Sequence, residues 1–194
     1  MRLSFLAAHL TTATMVQLDE LDEDVAPAEL QLHASPIAEV PGLWLASRDA
    51  CVDGKALVEA GVKSIAVFGP HAEWIDRDSF GGRVHVYPRA ENGALITNLK
   101  ETCDFLTITL DDYGAVACTS EERGSDDDGG SASGDGEAGA GFVCAAYMII
   151  AKGKSAQEAA DAVEESRPGC GLKAHDEFMK NLRFLQRNGI PDWA

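Results

Sequence analysis

Several things are scarce in this chain of 194 residues, and each scarcity narrows what it does. Its five cysteines, Cys51, Cys103, Cys118, Cys144 and Cys170, are odd in number, form no CxxC pair and stand in no His/Cys ligand spacing. Neither a disulfide framework nor a zinc site is implied, and no cofactor or metal is expected. Free thiols fit a reducing intracellular compartment, with the cytoplasm as the simplest location. Basic residues are also few: 16 Lys and Arg stand against 32 Asp and Glu, for a net charge of −16. Nucleic acid is therefore not an expected partner, since phosphate neutralisation by Lys and Arg supplies most of that affinity. An anionic membrane surface is disfavoured for the same reason. No segment approaches the ~20 apolar residues of a membrane span. The opening MRLSFLAAHLTTATM has too short an apolar run, and no clear cleavage site, for a signal peptide. The QLDELDED that follows is acidic, unlike a typical transit peptide, so organelle targeting is the less supported alternative to the cytoplasm.

What remains is the make-up of an ordinary globular domain. Hydrophobic residues are 45% of the chain, close to the average for folded proteins. Residues 1–35 mix acids with prolines and show only patchy periodicity, so they read as an acidic arm, disordered or docking. The domain is expected over 36–188, and 189–194 form a tail carrying Trp193, a candidate docking aromatic. IAEV and LWLAS read as two short strands around Pro41-Gly42. Asp49 is placed to cap a helix running to about Ala60, with Gly61 as its stop. VKSIAVFG reads as a buried strand and RVHVYP as an alternating one, with His85 half-exposed. Leu99, Cys103, Leu106 and Leu110 make one stripe of a helix over 97–110. Gly114–Cys118 reads as a short buried strand.

Residues 119–141, TSEERGSDDDGGSASGDGEAGAG, are a low-complexity insertion with the composition of a flexible linker, holding seven acids and one arginine. The cluster Asp126–Asp128 lacks the spacing and distal Glu of a calcium loop. An apolar helix, FVCAAYMIIAKG, comes next. Ser155 and Glu158 then form a capping box for a helix ended by Pro168-Gly169. A last helix runs from about Lys173, near His175, to Arg187, with Phe178, Leu182 and Leu185 inward. The element order predicts an α/β fold, a central mixed sheet flanked by helices. Its strand at Cys118 leads through a loop to a helix N-terminus, a natural anion site.

In that order, IAEVPGLWLASRDAC, LVEAGVKSIAVFG, TNLKETCDFL, GAVAC, FVCAAYMI, SAQEAADAVEESRP and HDEFMKNLRFLQ resemble the dual-specificity (tyrosine-type) protein phosphatases over roughly residues 36–187. The resemblance implies that fold and a phosphate-monoester hydrolase site. In that site a thiolate attacks phosphorus, the N–H groups of a short loop and an Arg beyond five intervening residues bind the oxygens, and an Asp protonates the leaving group. Carried onto this chain, Cys118 takes the nucleophile position, Ala117 stands where the family has His, and the Arg position falls near Ala138. Nineteen residues, 119–137, intervene where the family has five. Arg123 is the one arginine within them, flanked by Glu121 and Glu122, and is a candidate phosphate ligand. Glu91 is the candidate acid. Losing an oxyanion clamp costs ~2.7–4 kcal/mol, and added carboxylates repel a phosphate dianion and raise a thiol pKa. The expected function is a catalytically impaired phosphatase-like protein, a pseudophosphatase that binds a protein partner or phosphoprotein or serves in an assembly. Its acidic insertion suits a basic protein surface. The alternative is an atypical active phosphatase using Cys118.

Overall fold

Two runs of five residues without a charged side chain, Ser64–Phe68 (β3) and Val116–Ser120 (β5), are buried at every position. Continuous burial is what parallel strands covered on both faces require. The computed structural model describes residues 33–88, 95–120 and 135–191. It places these two strands side by side, with Ser64 opposite Val116 and Phe68 opposite Ser120. The sheet is completed by Ala34–Pro36 (β1), Leu43–Ala46 (β2) and Val84–Tyr87 (β4), in the order β1-β2-β5-β3-β4. Only β1 is antiparallel to its neighbour. The mixed α/β sheet expected from the sequence is thus the one found.

Alternate side chains enter two separate cores, as the two-residue strand period dictates. Leu43, Leu45, Ala66, Phe68, Val116 and Cys118 face the larger one, beneath the long helices. Ile65, Val67 and Ala117 face the smaller one, with Cys51, Leu57 and Phe80. The long helices are α3 (Leu99–Tyr113), α4 (Asp135–Lys152), α5 (Ala156–Ser166) and α6 (Asp176–Asn188). The first two after β2 are short: α1 (Arg48–Asp53) and α2 (Lys55–Glu59). The capping box is present: Ser155 Oγ accepts from Glu158 N–H at 3.2 Å, and Glu158 Oε2 accepts from Ser155 N–H at 2.9 Å.

Four boundaries differ from the sequence reading. The first strand is Ala34–Pro36, so the sheet takes in two residues assigned to the arm. Ile37–Val40 form a turn closed by Ile37 N–H to Leu43 O and Val40 N–H to Ile37 O. Pro36 can end β1 because an edge strand tolerates a missing donor. Ser47, not Asp49, caps α1, accepting from Ala50 N–H at 3.3 Å; Asp49 sits in the first turn, where its charge suits the helix dipole. Gly54, at φ +65, splits the expected single helix into α1 and α2. The ends of the insertion are structured: Thr119 and Ser120 belong to β5, and α4 begins at Asp135. Glu91, Arg123, Trp193, the acids Asp126–Asp128 and all but the last three residues of the arm lie outside the described residues. Among the described residues, no helix is long and apolar enough to cross a membrane.

Candidate functional site

Ligands of open parallel sheets sit beyond the carboxyl ends of the strands, where connections leave in opposite directions. Here that place is the end of β5, the central strand, facing the first turns of α4. The sequence reading ends the strand at Cys118, but pairing with β3 continues through Val67–Thr119 and Phe68–Ser120. Ser120 is therefore the last ladder residue of β5 among the described residues. Its Oγ donates to Phe68 O at 3.3 Å, and it is only 3% exposed.

Cys118 lies two residues inside the ladder, opposite Leu45 on one side and Ala66 on the other, and is 0% exposed. At ~3.3 Å per residue its sulfur is about 7 Å short of the strand end. Nucleophilic attack needs the reacting atoms ~3–3.5 Å apart. Cys118 packs instead against the buried Cys144 thiol; the hydrogen bond between them, more than the burial, holds the Cys144 pKa well above its usual value. The other thiols are likewise far from thiolates at neutral pH. Burial pushes Cys51 and Cys103 up to about 12 and Cys170 up to about 11.

Ala117 faces the smaller core, and Ala138 is fully buried in the second turn's approach of α4 to the sheet. The next residue, Gly139, meets the Phe68 ring: a Cβ there would stand 2.2 Å from Phe68 Cδ1. The structure brings a different arginine to this end of the fold. Arg167, at the C-terminal cap of α5, makes a two-pronged pair with Glu137, from Nε to Oε2 at 2.8 Å and from NH2 to Oε1 at 2.7 Å. Glu137 raises the Arg167 pKa further, mainly through these hydrogen bonds. Arg167 was legible only as the last residue before Pro168. Its partner, an acid 30 residues upstream in a low-complexity run, carries no local signal.

The pair ties the start of α4 to the end of α5, and both side chains are largely shielded from solvent. Arg167→Ala leaves the Glu137 carboxylate without this partner. We expect a loss of about 1–3 kcal/mol, read as a lower urea midpoint, with a smaller loss for Glu137→Gln, which keeps one acceptor.

The remaining candidates do not assemble into an acid–base site. His85 hydrogen-bonds Thr102 Oγ1 at 3.0 Å and stacks on Phe105, with ring centroids 4.9 Å apart. Burial lowers its pKa, opposed by the Glu101 charge. His175 stacks on Phe178 at 4.0 Å. The Tyr87 hydroxyl is buried and finds no hydrogen-bond partner among the described residues. Burial raises its pKa. Among the described residues, no group of three or more His, Cys, Asp or Glu is arranged to hold a metal ion.

A five-stranded sheet in this order, with its central strand pointing at the N-terminus of a long helix, defines the dual-specificity phosphatase fold, and this chain has that fold. No protein-family model matches the sequence, and no curated protein matches it. Solved structures do. Human DUSP28 is 21% identical, over 79% of this chain and 93% of its own, with a TM-score of 0.58. The Yvh1 phosphatase domain from Chaetomium thermophilum is 18% identical, over 81% of this chain and 98% of its own, at 0.61. The human tyrosine phosphatase-like serine/threonine/tyrosine-interacting protein is 17% identical, over 79% and 95%, at 0.57.

Proposed function

We propose that this chain is a pseudophosphatase: a phosphatase-fold module that binds a protein partner and does not hydrolyse phosphate esters through Cys118. The observation that carries this reading is the depth of Cys118, 0% exposed and inside the ladder, with Ser120 at the strand end. A serine there is a weak nucleophile without an adjacent general base. Arg167, beside the first turns of α4, is engaged by Glu137. The acids on either side of Arg123 oppose a phosphate dianion, and the same charge favours a basic protein surface as partner. A protein bearing this fold and named phosphatase-like and interacting is among the structural neighbours.

The test is turnover of a generic aryl phosphate by the full chain. Release at the rate of buffer alone is expected, unchanged by Cys118→Ala and Cys118→Ser. Phosphate release that both substitutions abolish, in variants whose circular dichroism matches the parent, would establish the active-phosphatase alternative and overturn the proposal.

A further inference from the structure

The two edges of the sheet are protected unequally. Edge strands are ordinarily blunted by shortness, proline or charge, because their outward N–H and C=O groups invite another strand. At one edge, β1 has three residues and ends in Pro36. At the other, β4 is Val-His-Val-Tyr, with no proline, acid, lysine or arginine. Ile65 N–H donates to Arg83 O and Gly69 N–H to Tyr87 O, both at 3.0 Å, so every second residue of β4 turns its backbone toward β3. Val84 and Val86 turn theirs outward. Val84 N–H folds back onto Gly82 O at 3.0 Å; the Val84 carbonyl and both backbone groups of Val86 bond to no described residue. Exposed apolar surface lies beside this edge. Ile108 is 57% exposed and Tyr113 47%, both on α3, which rests on β4 through the His85–Thr102 hydrogen bond and the His85–Phe105 stack.

We propose that β4 and α3 form a docking face for a second copy of this chain, the two β4 strands pairing antiparallel about a two-fold axis at His85. Val84 of each copy then stands opposite Val86 of the other, and each Val86 N–H donates to the facing Val84 carbonyl. Such a contact uses the same patch twice and closes at two copies. Charge is complementary about that axis. α3 runs back along β4, from Glu101, whose charge acts on His85, to Tyr113, whose ring carries the Arg83 guanidinium at 4.4 Å. The Arg83 end of each copy therefore meets the Glu101 end of the other. With α3 seated over β3 and β4, the two helices stand two strand spacings apart, about 10 Å, the separation at which helices pack. Glu101, Phe105, Ile108 and Asp112, spaced by four, three and four residues, share the side of α3 that carries the His85 stack, and Ile108 leaves water there. The −16 charge of each copy opposes the approach, but a screening length of ~8 Å at physiological salt confines that repulsion. The inference stands whether or not Cys118 ever reacts.

Sedimentation equilibrium of the full chain at physiological salt, over about 10–100 μM protein, tests this; a strand edge and one helix face make a small interface, for which association in that range is expected. The mass should approach twice the 20.6 kDa of one chain. Ile108→Glu, at an exposed position, should weaken association about tenfold or more. Val86→Pro should do the same, since it removes an outward N–H and none that β3 uses. Val52→Glu is the control and should change nothing: Val52 is 48% exposed on α1, across the sheet from α3. Circular dichroism must match the parent in each variant. If Val86→Pro does not fold, Ile108→Glu carries the comparison, together with hydrogen exchange of the Val86 amide, which in the parent should slow as protein concentration rises. The proposal is overturned by a monomer over the whole range, or by a mass that climbs beyond two copies. It is also overturned by a dimer that Ile108→Glu leaves intact, or that Val52→Glu weakens equally.

Discussion

Gly42→Ala is expected to lose about 3 kcal/mol or more of stability, the sum of two separate effects. Gly42 has φ +85, a left-handed conformation that costs a residue with a Cβ roughly 1–2 kcal/mol. The added carbon would also stand 1.9 Å from the Gly114 carbonyl oxygen and 3.1 Å from Leu110 Cδ2. The first obstacle is backbone, so no rotamer change relieves it. Gly42 O also accepts from Val116 N–H at 2.9 Å, which ties the start of β2 to the start of β5. To accept the methyl group, the turn from α3 into β5 must shift, and with it the register of the central strand; overpacking of this kind typically costs another 1–3 kcal/mol. Against a total stability of roughly 5–15 kcal/mol, that is a large fraction. The control is Gly61→Ala, at φ +90 with nothing within 4 Å of the added Cβ. It carries the conformational effect alone, so its urea midpoint should drop by less than half as much. Equal drops in the two variants would show that the seam between β2 and β5 is loose enough to yield.

The fold was legible because its signals are local. The buried character of VKSIAVFG, the stripe through Leu99, Cys103 and Leu106 and the Ser155/Glu158 box each set an element without help from elsewhere. The errors fall where a neighbour decides. Thr119 and Ser120 extend β5 because Val67 and Phe68 offer them ladder partners. A threonine, a good strand former, was the available hint. Gly54 breaks α1 from α2 with a left-handed backbone at φ +65, and a Cβ at this position would meet the Phe80 ring at 2.9 Å, a contact 26 residues away that no local pattern reveals. The site suffers most from this non-locality. Cys118 reads as a nucleophile only while the strand is taken to end there, and two more paired residues turn it into core. The Arg167–Glu137 pair joins two helices through an acid that the sequence presents as part of a low-complexity run.

The same non-locality gives Gly139→Ala an unusual sign. In a helix interior, replacing glycine by alanine ordinarily stabilises by about 0.8–1 kcal/mol. At Gly139 the new methyl would stand 2.2 Å from Phe68 Cδ1 and 2.6 Å from Cε1. The ring has nowhere to go. Phe68 is 2% exposed and held edge-to-face by Tyr87 at 5.6 Å and Phe178 at 5.9 Å. The expected outcome is a loss of about 2–3 kcal/mol in place of a gain, measured by denaturant unfolding. Phe68→Leu should recover part of it, so the double-mutant cycle is expected to give a coupling of at least ~1 kcal/mol. A stabilising Gly139→Ala, or additive single effects, would mean that α4 does not press on the end of β3. The contact bears directly on function. It seats the first turns of α4 against the end of the sheet, with Ala138 fully buried beside it. An arginine substituted at 138 would meet packed core where the phosphatase family turns a guanidinium toward its phosphate. Ala138→Arg should therefore unfold the chain, read as loss of the cooperative denaturant transition.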